Sequence, residues 1–142
     1  MQVSILEQSV AVEGKPQHIT IQDSINLAKK AEKLGYKRFW VSEHHNHPTI
    51  IGTAPEILMA AIATQTKTIR IGSAGIMLPH YAPFKIAEQF RVLEAIAPDR
   101  IDLGLGRAPG SDGRTAVLPS EPGALPRPVS YTHLTLPTIY SV

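Results

Sequence analysis

"RIDLGLGR", residues 100–107, alternates strictly: Ile101, Leu103 and Leu105 fall on one side, and Asp102, Gly104 and Gly106 on the other. Successive side chains of a strand point to opposite faces. An aliphatic face suits a covering layer of helices, and a face of glycine and aspartate suits a crowded interior or a ligand pressed against backbone. Moving back along the chain, β-rich apolar runs stand at residues 3–6, 37–42 and 69–77, so the four starts are 34, 32 and 31 residues apart. That interval is the size of a βα unit. The run at 37–42 repeats the alternation, with Phe39 and Val41 directed to helices and Trp40, Ser42 and then His44 directed inward.

The intervening segments read as helices. In the first, Thr20 followed by Asp23 resembles a capping box, Ile21, Ile25, Ala28 and Leu34 form a stripe, and Gly35 stands where a left-handed terminal residue belongs. The second opens at Thr53-Ala54-Pro55-Glu56, and the third starts near Pro83, with Ile86, Phe90, Leu93 and Ala97 on one face before Pro98 stops it. Strands alternating with helices predict a parallel sheet with right-handed crossovers. The fold class expected is α/β, a partial (β/α)8 TIM barrel of about four βα units with an irregular C-terminal tail, because a complete barrel takes about 250 residues.

With 142 residues, 43% of them hydrophobic and 18% charged, the chain has enough apolar surface for one folded domain. A net charge of +2 with scattered Lys and Arg lacks the footprint of a nucleic-acid binder. No run approaches the roughly eighteen apolar residues of a membrane span. There is no cysteine, hence neither a disulfide framework nor a thiolate metal site, and a cytoplasmic location is expected.

Chemistry concentrates at three strand ends. "FWVSEHHNHP", residues 39–48, carries His44, His45 and His47. Adjacent histidines on an extended chain point to opposite faces, which disfavours one shared metal ion. His44 projects toward the mouth of the sheet, where active sites of parallel α/β folds lie, and can exchange protons near neutral pH. The alternative is a loop histidine satisfied by backbone or water. Glu43 faces the helices, where a carboxylate needs partners, and reads as structural support. Gly72, Ser73, Ala74 and Gly75 leave room either for a flat ligand or for tight interior packing. "GLGRAPG", residues 104–110, is no dinucleotide fingerprint, although Arg107 emerges beside its glycines.

Together, "YKRFWVSEHHN", "IRIGSAGIMLPHYAPFKIAEQF" and "LEAIAPDRIDLGLGRAPGSD" resemble the bacterial luciferase-like flavin monooxygenase family over about residues 3–113. The resemblance implies a (β/α)8 barrel using FMN, with deazaflavin as the alternative cofactor. It implies oxidation of a small-molecule substrate by reduced flavin and O2, in many members with a separate flavin reductase, and a homodimeric full-length parent. It makes His44 the catalytic histidine. It makes Ala74 and Gly75 the pair passing along the flavin ring, commonly through a non-proline cis peptide, and adds Gly106 and Arg107 to the cofactor site.

The phosphate-binding loops of such a barrel belong to its later half, so the expectation is an N-terminal half-domain over residues 1–114, inactive by itself, followed by an irregular tail at 115–142. That tail holds half of the twelve prolines together with Pro109. "PVSYTHLTLPTIYSV" resembles translated sequencing adapter, and the chain is expected to be non-native from about residue 128. A metal-dependent hydrolase using the cluster His44 to His47, or a non-functional truncated product, are the alternative readings.

Overall fold

The computed structural model describes residues 2–107; the expected boundary at 114/115 and the tail lie outside the described residues. The order is β1 (Ser4–Glu7), α1 (Gln17–Lys33), β2 (Arg38–Val41), α2 (Pro55–Gln65), β3 (Arg70–Ser73), β4 (Ile76–Met77), a short 3-10 turn (Leu78–His80), α3 (Pro83–Ile96), β5 (Ile101–Asp102) and β6 (Leu105–Gly106). The main sheet is parallel throughout in the order β1-β2-β3-β5, and β4 pairs with β6, also in parallel. Three βα units and a fourth strand therefore stand in sequence order, as in the first arc of a (β/α)8 barrel.

The alternation read from the sequence decides the layers. Phe39 and Val41 on β2 and Ile71 on β3 are fully buried against Met59 and Ile62 of α2, Ile86, Phe90 and Leu93 of α3, and Ala28 and Ala31 of α1. Ile101, Leu103 and Leu105 pack on the same core from the fourth strand segment. Burying each large aliphatic or aromatic side chain contributes about 1.5–3 kcal/mol, so this one layer dominates stability.

Three expectations are corrected. The third and fourth strands are each broken: β3 stops at Ser73 and resumes as β4 at Ile76, and β5 stops at Asp102 and resumes as β6 at Leu105. The cause is the Ser73 hydroxyl, which accepts from Gly104 N–H at 3.0 Å and donates to Gly104 C=O at 2.9 Å, replacing ladder bonds by a side chain. The first helix begins at Gln17 behind Pro16, not at a Thr20 cap. The Ile19 and Thr20 amides already bond to the Pro16 carbonyl, so Thr20 lies inside the helix and Asp23 pairs with Lys15. Leu34 is off the buried stripe at 76% exposure, because Gly35 turns the chain at φ +78° immediately after it. Pro83 and Ala97 bound the third helix as expected.

Candidate active site

The register puts the carboxyl ends of β2, β3 and β5 at one edge. Val41 pairs with Ser73, Ala74 N–H bonds to Val41 C=O at 2.8 Å, and Ile76 N–H bonds to Gly104 C=O at 2.8 Å. The chain beyond β2 carries the histidines and is tied down twice: His44 N–H bonds to Gly52 C=O at 3.1 Å, and an antiparallel bridge joins Val10 to Ile50. His44, Ala74, Gly75 and Gly106 therefore lie at the same end of the sheet, and Arg107 follows directly, exposed.

The three histidines have different fates. His44 is partly buried and its Nδ1, buried as an atom, has no hydrogen-bond partner among the described residues. Burial lowers its pKa below the ordinary 6.5, His47 and His45 add to that, and Glu43 opposes it. His45 turns the other way, with Nε2 2.6 Å from Glu43 Oε1 and its ring edge-on to His80 at 4.6 Å. His47 Nδ1 accepts from the Thr49 and Ile50 amides, both at 3.2 Å, and its ring meets that of His44 edge-on at 6.2 Å. Two of the rings are thus committed to separate partners. Among the described residues no three His, Asp or Glu side chains are grouped as metal ligands.

Glu43 is the feature whose partners pattern reading missed. Its side chain is fully buried and accepts from Met77 N–H at 2.9 Å, Tyr81 O–H at 2.8 Å and His45. Desolvation, followed by this bond to a carboxylate, raises the Tyr81 pKa. The need for partners was readable from a glutamate in phase with Phe39 and Val41. That Tyr81 supplies one was not, since it lies 38 residues away, beyond α2, β3, β4 and the 3-10 turn.

The small residues divide into two groups. A Cβ at Gly72 would lie 2.5 Å from Trp40 Nε1 and 2.8 Å from Asp102 Cβ, so that space is filled by the Trp40 indole reaching Asp102. A Cβ at Gly104 would meet Ser73 C=O. Gly75 and Gly106 instead face one another: a Cβ at Gly75 would lie 3.5 Å from Gly106 N, and one at Gly106 would lie 3.3 Å from Met77 Sδ and 3.6 Å from Gly75 C=O, so the two glycines form a backbone ledge edged by the Met77 thioether. The expected cis peptide at Ala74-Gly75 is absent: no peptide among the described residues is cis, and Gly75 makes the bend with φ +119°.

The family model for luciferase-like monooxygenases matches residues 1–118. The chain belongs to the luciferase-like monooxygenase family. Among curated relatives, the N-acetyl-S-alkylcysteine monooxygenase of Bacillus subtilis (strain 168) is 52% identical over 110 residues, 78% of this chain and 33% of that protein. Among solved structures, apo-MsnO8 matches at TM-score 0.78 and 48% identity, covering 82% of this chain and 35% of the other. The oxygenating constituent of 3,6-diketocamphane monooxygenase from the CAM plasmid of Pseudomonas putida, solved with FMN, matches at TM-score 0.72 and 30% identity, covering 76% and 30%. The chain thus spans about a third of the length of these luciferase-like relatives, and its sheet and helices are part of their barrel.

Proposed function

We propose that this chain is the flavin-ring side of an FMN-dependent monooxygenase, and that the whole protein oxidises a small organic molecule with reduced flavin and O2. The observation that carries the reading is the presence, at one sheet end, of the unpartnered Nδ1 of His44 and the closely packed glycine ledge of Gly75 and Gly106. An orphaned buried nitrogen and a glycine ledge at the same sheet end fit a planar ring with polar edges. The FMN complex of the diketocamphane enzyme supports FMN over a deazaflavin.

Bound reduced FMN supplies the electrons that reduce O2, one oxygen atom entering the substrate and the other leaving as water. The residues of this chain do the rest. Ala74, Gly75 and Gly106 let the ring lie against backbone. Arg107 offers a guanidinium to its electron-rich edge. His44, whose burial favours the neutral ring, can take up or pass on a proton at Nδ1. His44 is the catalytic residue in this reading and the others bind cofactor. None of these residues would hold the FMN phosphate, so weak FMN binding and no turnover are the expected behaviour of the chain alone.

Titrating FMN into the 142-residue protein and reading flavin fluorescence tests the ring site. Oxygen consumption by the full-length parent, with and without His44→Ala, tests the histidine. The expected loss of turnover is about 10²–10⁴-fold with folding retained. Unchanged turnover removes His44 from the reaction.

A further inference from the structure

We propose that Glu43 is a positioning residue that sets the gap between the histidine loop and the Gly75–Gly106 ledge, acting through His45, Tyr81 and the Met77 amide. This deepens the ring-site reading and rests on it only for the effect on FMN.

One buried carboxylate gathers three donors from three separate segments: the histidine loop through His45 Nε2 at 2.6 Å, the residue after the 3-10 turn through Tyr81 O–H at 2.8 Å, and β4 through Met77 N–H at 2.9 Å. Glu43 immediately precedes His44, and Met77 pairs with Gly106 across the ledge. The Glu43–Met77 bond therefore ties the residue beside His44 to the strand that pairs with Gly106. A carboxylate presents only acceptors, and its two oxygens divide the three donors without conflict. A glutamine has one acceptor oxygen and one NH2, so whichever way it turns, at least one donor faces a donor unless the His45 ring exchanges its proton between nitrogens. Glu43 thereby holds the His45 proton on Nε2, while the His45 ring rests edge-on to His80.

The test is long-range proton–nitrogen NMR on the 15N-labelled 142-residue protein at mildly alkaline pH, for the unsubstituted chain, Glu43→Gln and Tyr81→Phe, with FMN titrations of the first two. The unsubstituted chain is expected to show His45 protonated on Nε2 and a downfield Met77 amide. Glu43→Gln moves the imidazole proton to Nδ1 or shifts the Met77 amide upfield, and weakens FMN binding roughly tenfold. Tyr81→Phe, which leaves the carboxylate in place, retains both signals.

The proposal is overturned if the unsubstituted chain carries the His45 proton on Nδ1, if Glu43→Gln leaves both signals unmoved, or if it moves them while FMN binds as before. Should Glu43→Gln fail to fold, the spectra of the other two proteins decide: loss of the His45 and Met77 signals in Tyr81→Phe counts against the carboxylate as their holder. An unsubstituted chain that shows both signals and binds no FMN removes the ring-site reading and leaves the hydrogen-bond role of Glu43 standing.

Discussion

Gly104 shows how little room the break in the fourth strand leaves. A Cβ built there stands 2.2 Å from the Ser73 carbonyl oxygen, and that neighbour is backbone held in the sheet. Gly104→Ala is therefore expected to destabilise the protein by about 2–4 kcal/mol, read from urea unfolding, because relief requires moving a strand. Glycine at 104 was legible as a sign of crowding or close approach; which of the two it meant was not. By pattern Ser73 is one more small residue, yet its hydroxyl holds both polar backbone groups of Gly104. Gly72 was likewise open to two readings, and the Trp40 indole occupies its space. The parity of β2 directs His44 toward the mouth of the sheet, and it lies at that end of the sheet; its catalytic role rests on the family resemblance. Its unpartnered Nδ1 depends on neighbours that parity does not specify.

Among the elements, the junction between α1 and β3 rests on Glu32. Its carboxylate, in the last turn of the helix, accepts from the Lys67, Thr68 and Ile69 amides at 2.8, 2.6 and 3.0 Å and from the Thr68 hydroxyl at 3.1 Å. Burial pushes its pKa up, but the amide bonds of Thr68, Ile69 and Lys67 and the Thr68 hydroxyl outweigh that and bring it from 4.5 down to about 2. A depressed carboxyl pKa means that the folded state prefers the ionised form. The stabilisation is full above about 4.5 and fades as pH falls toward about 2. Glu32→Gln should cost about 1–2 kcal/mol at neutral pH, discounted for the exposure of the site, and the difference should shrink in thermal melts taken at progressively lower pH. A pH-independent difference would assign the effect to helix propensity instead. The proline starts of α2 and α3 and the stripe of α3 are legible in the sequence because they depend on neighbours three and four residues apart, whereas the start of α1 behind Pro16 and the exposure of Leu34 are not. Glu32 was not, since its partners follow 35 to 37 residues later.

Across the whole molecule, Asp102 joins three strands on the face away from the helices. It takes Arg38 Nε at 3.2 Å and Trp40 Nε1 at 3.1 Å on one oxygen, and Arg70 Nε at 3.0 Å and Nη2 at 2.5 Å on the other. The hydrogen bond to Asp102 raises the Arg70 pKa, against the lowering effect of burial. Removing the charge leaves two partly buried guanidinium groups facing each other, so Asp102→Asn should destabilise by about 2–3 kcal/mol in denaturant unfolding. That loss should shrink in high salt, because the Arg38 side chain is 40% exposed. The parallel sheet, the unit length, the buried stripe of α3 and the parity of each strand were determined by the sequence alone, because they arise from local periodicity and the geometry of the chain. The tertiary structure alone decided that Glu43 gathers His45, Tyr81 and Met77, that Ser73 interrupts two strands, and that Trp40 fills the space over Gly72. Each of these is a contact between residues distant in sequence, set by register and shape across the sheet, and no local pattern encodes it.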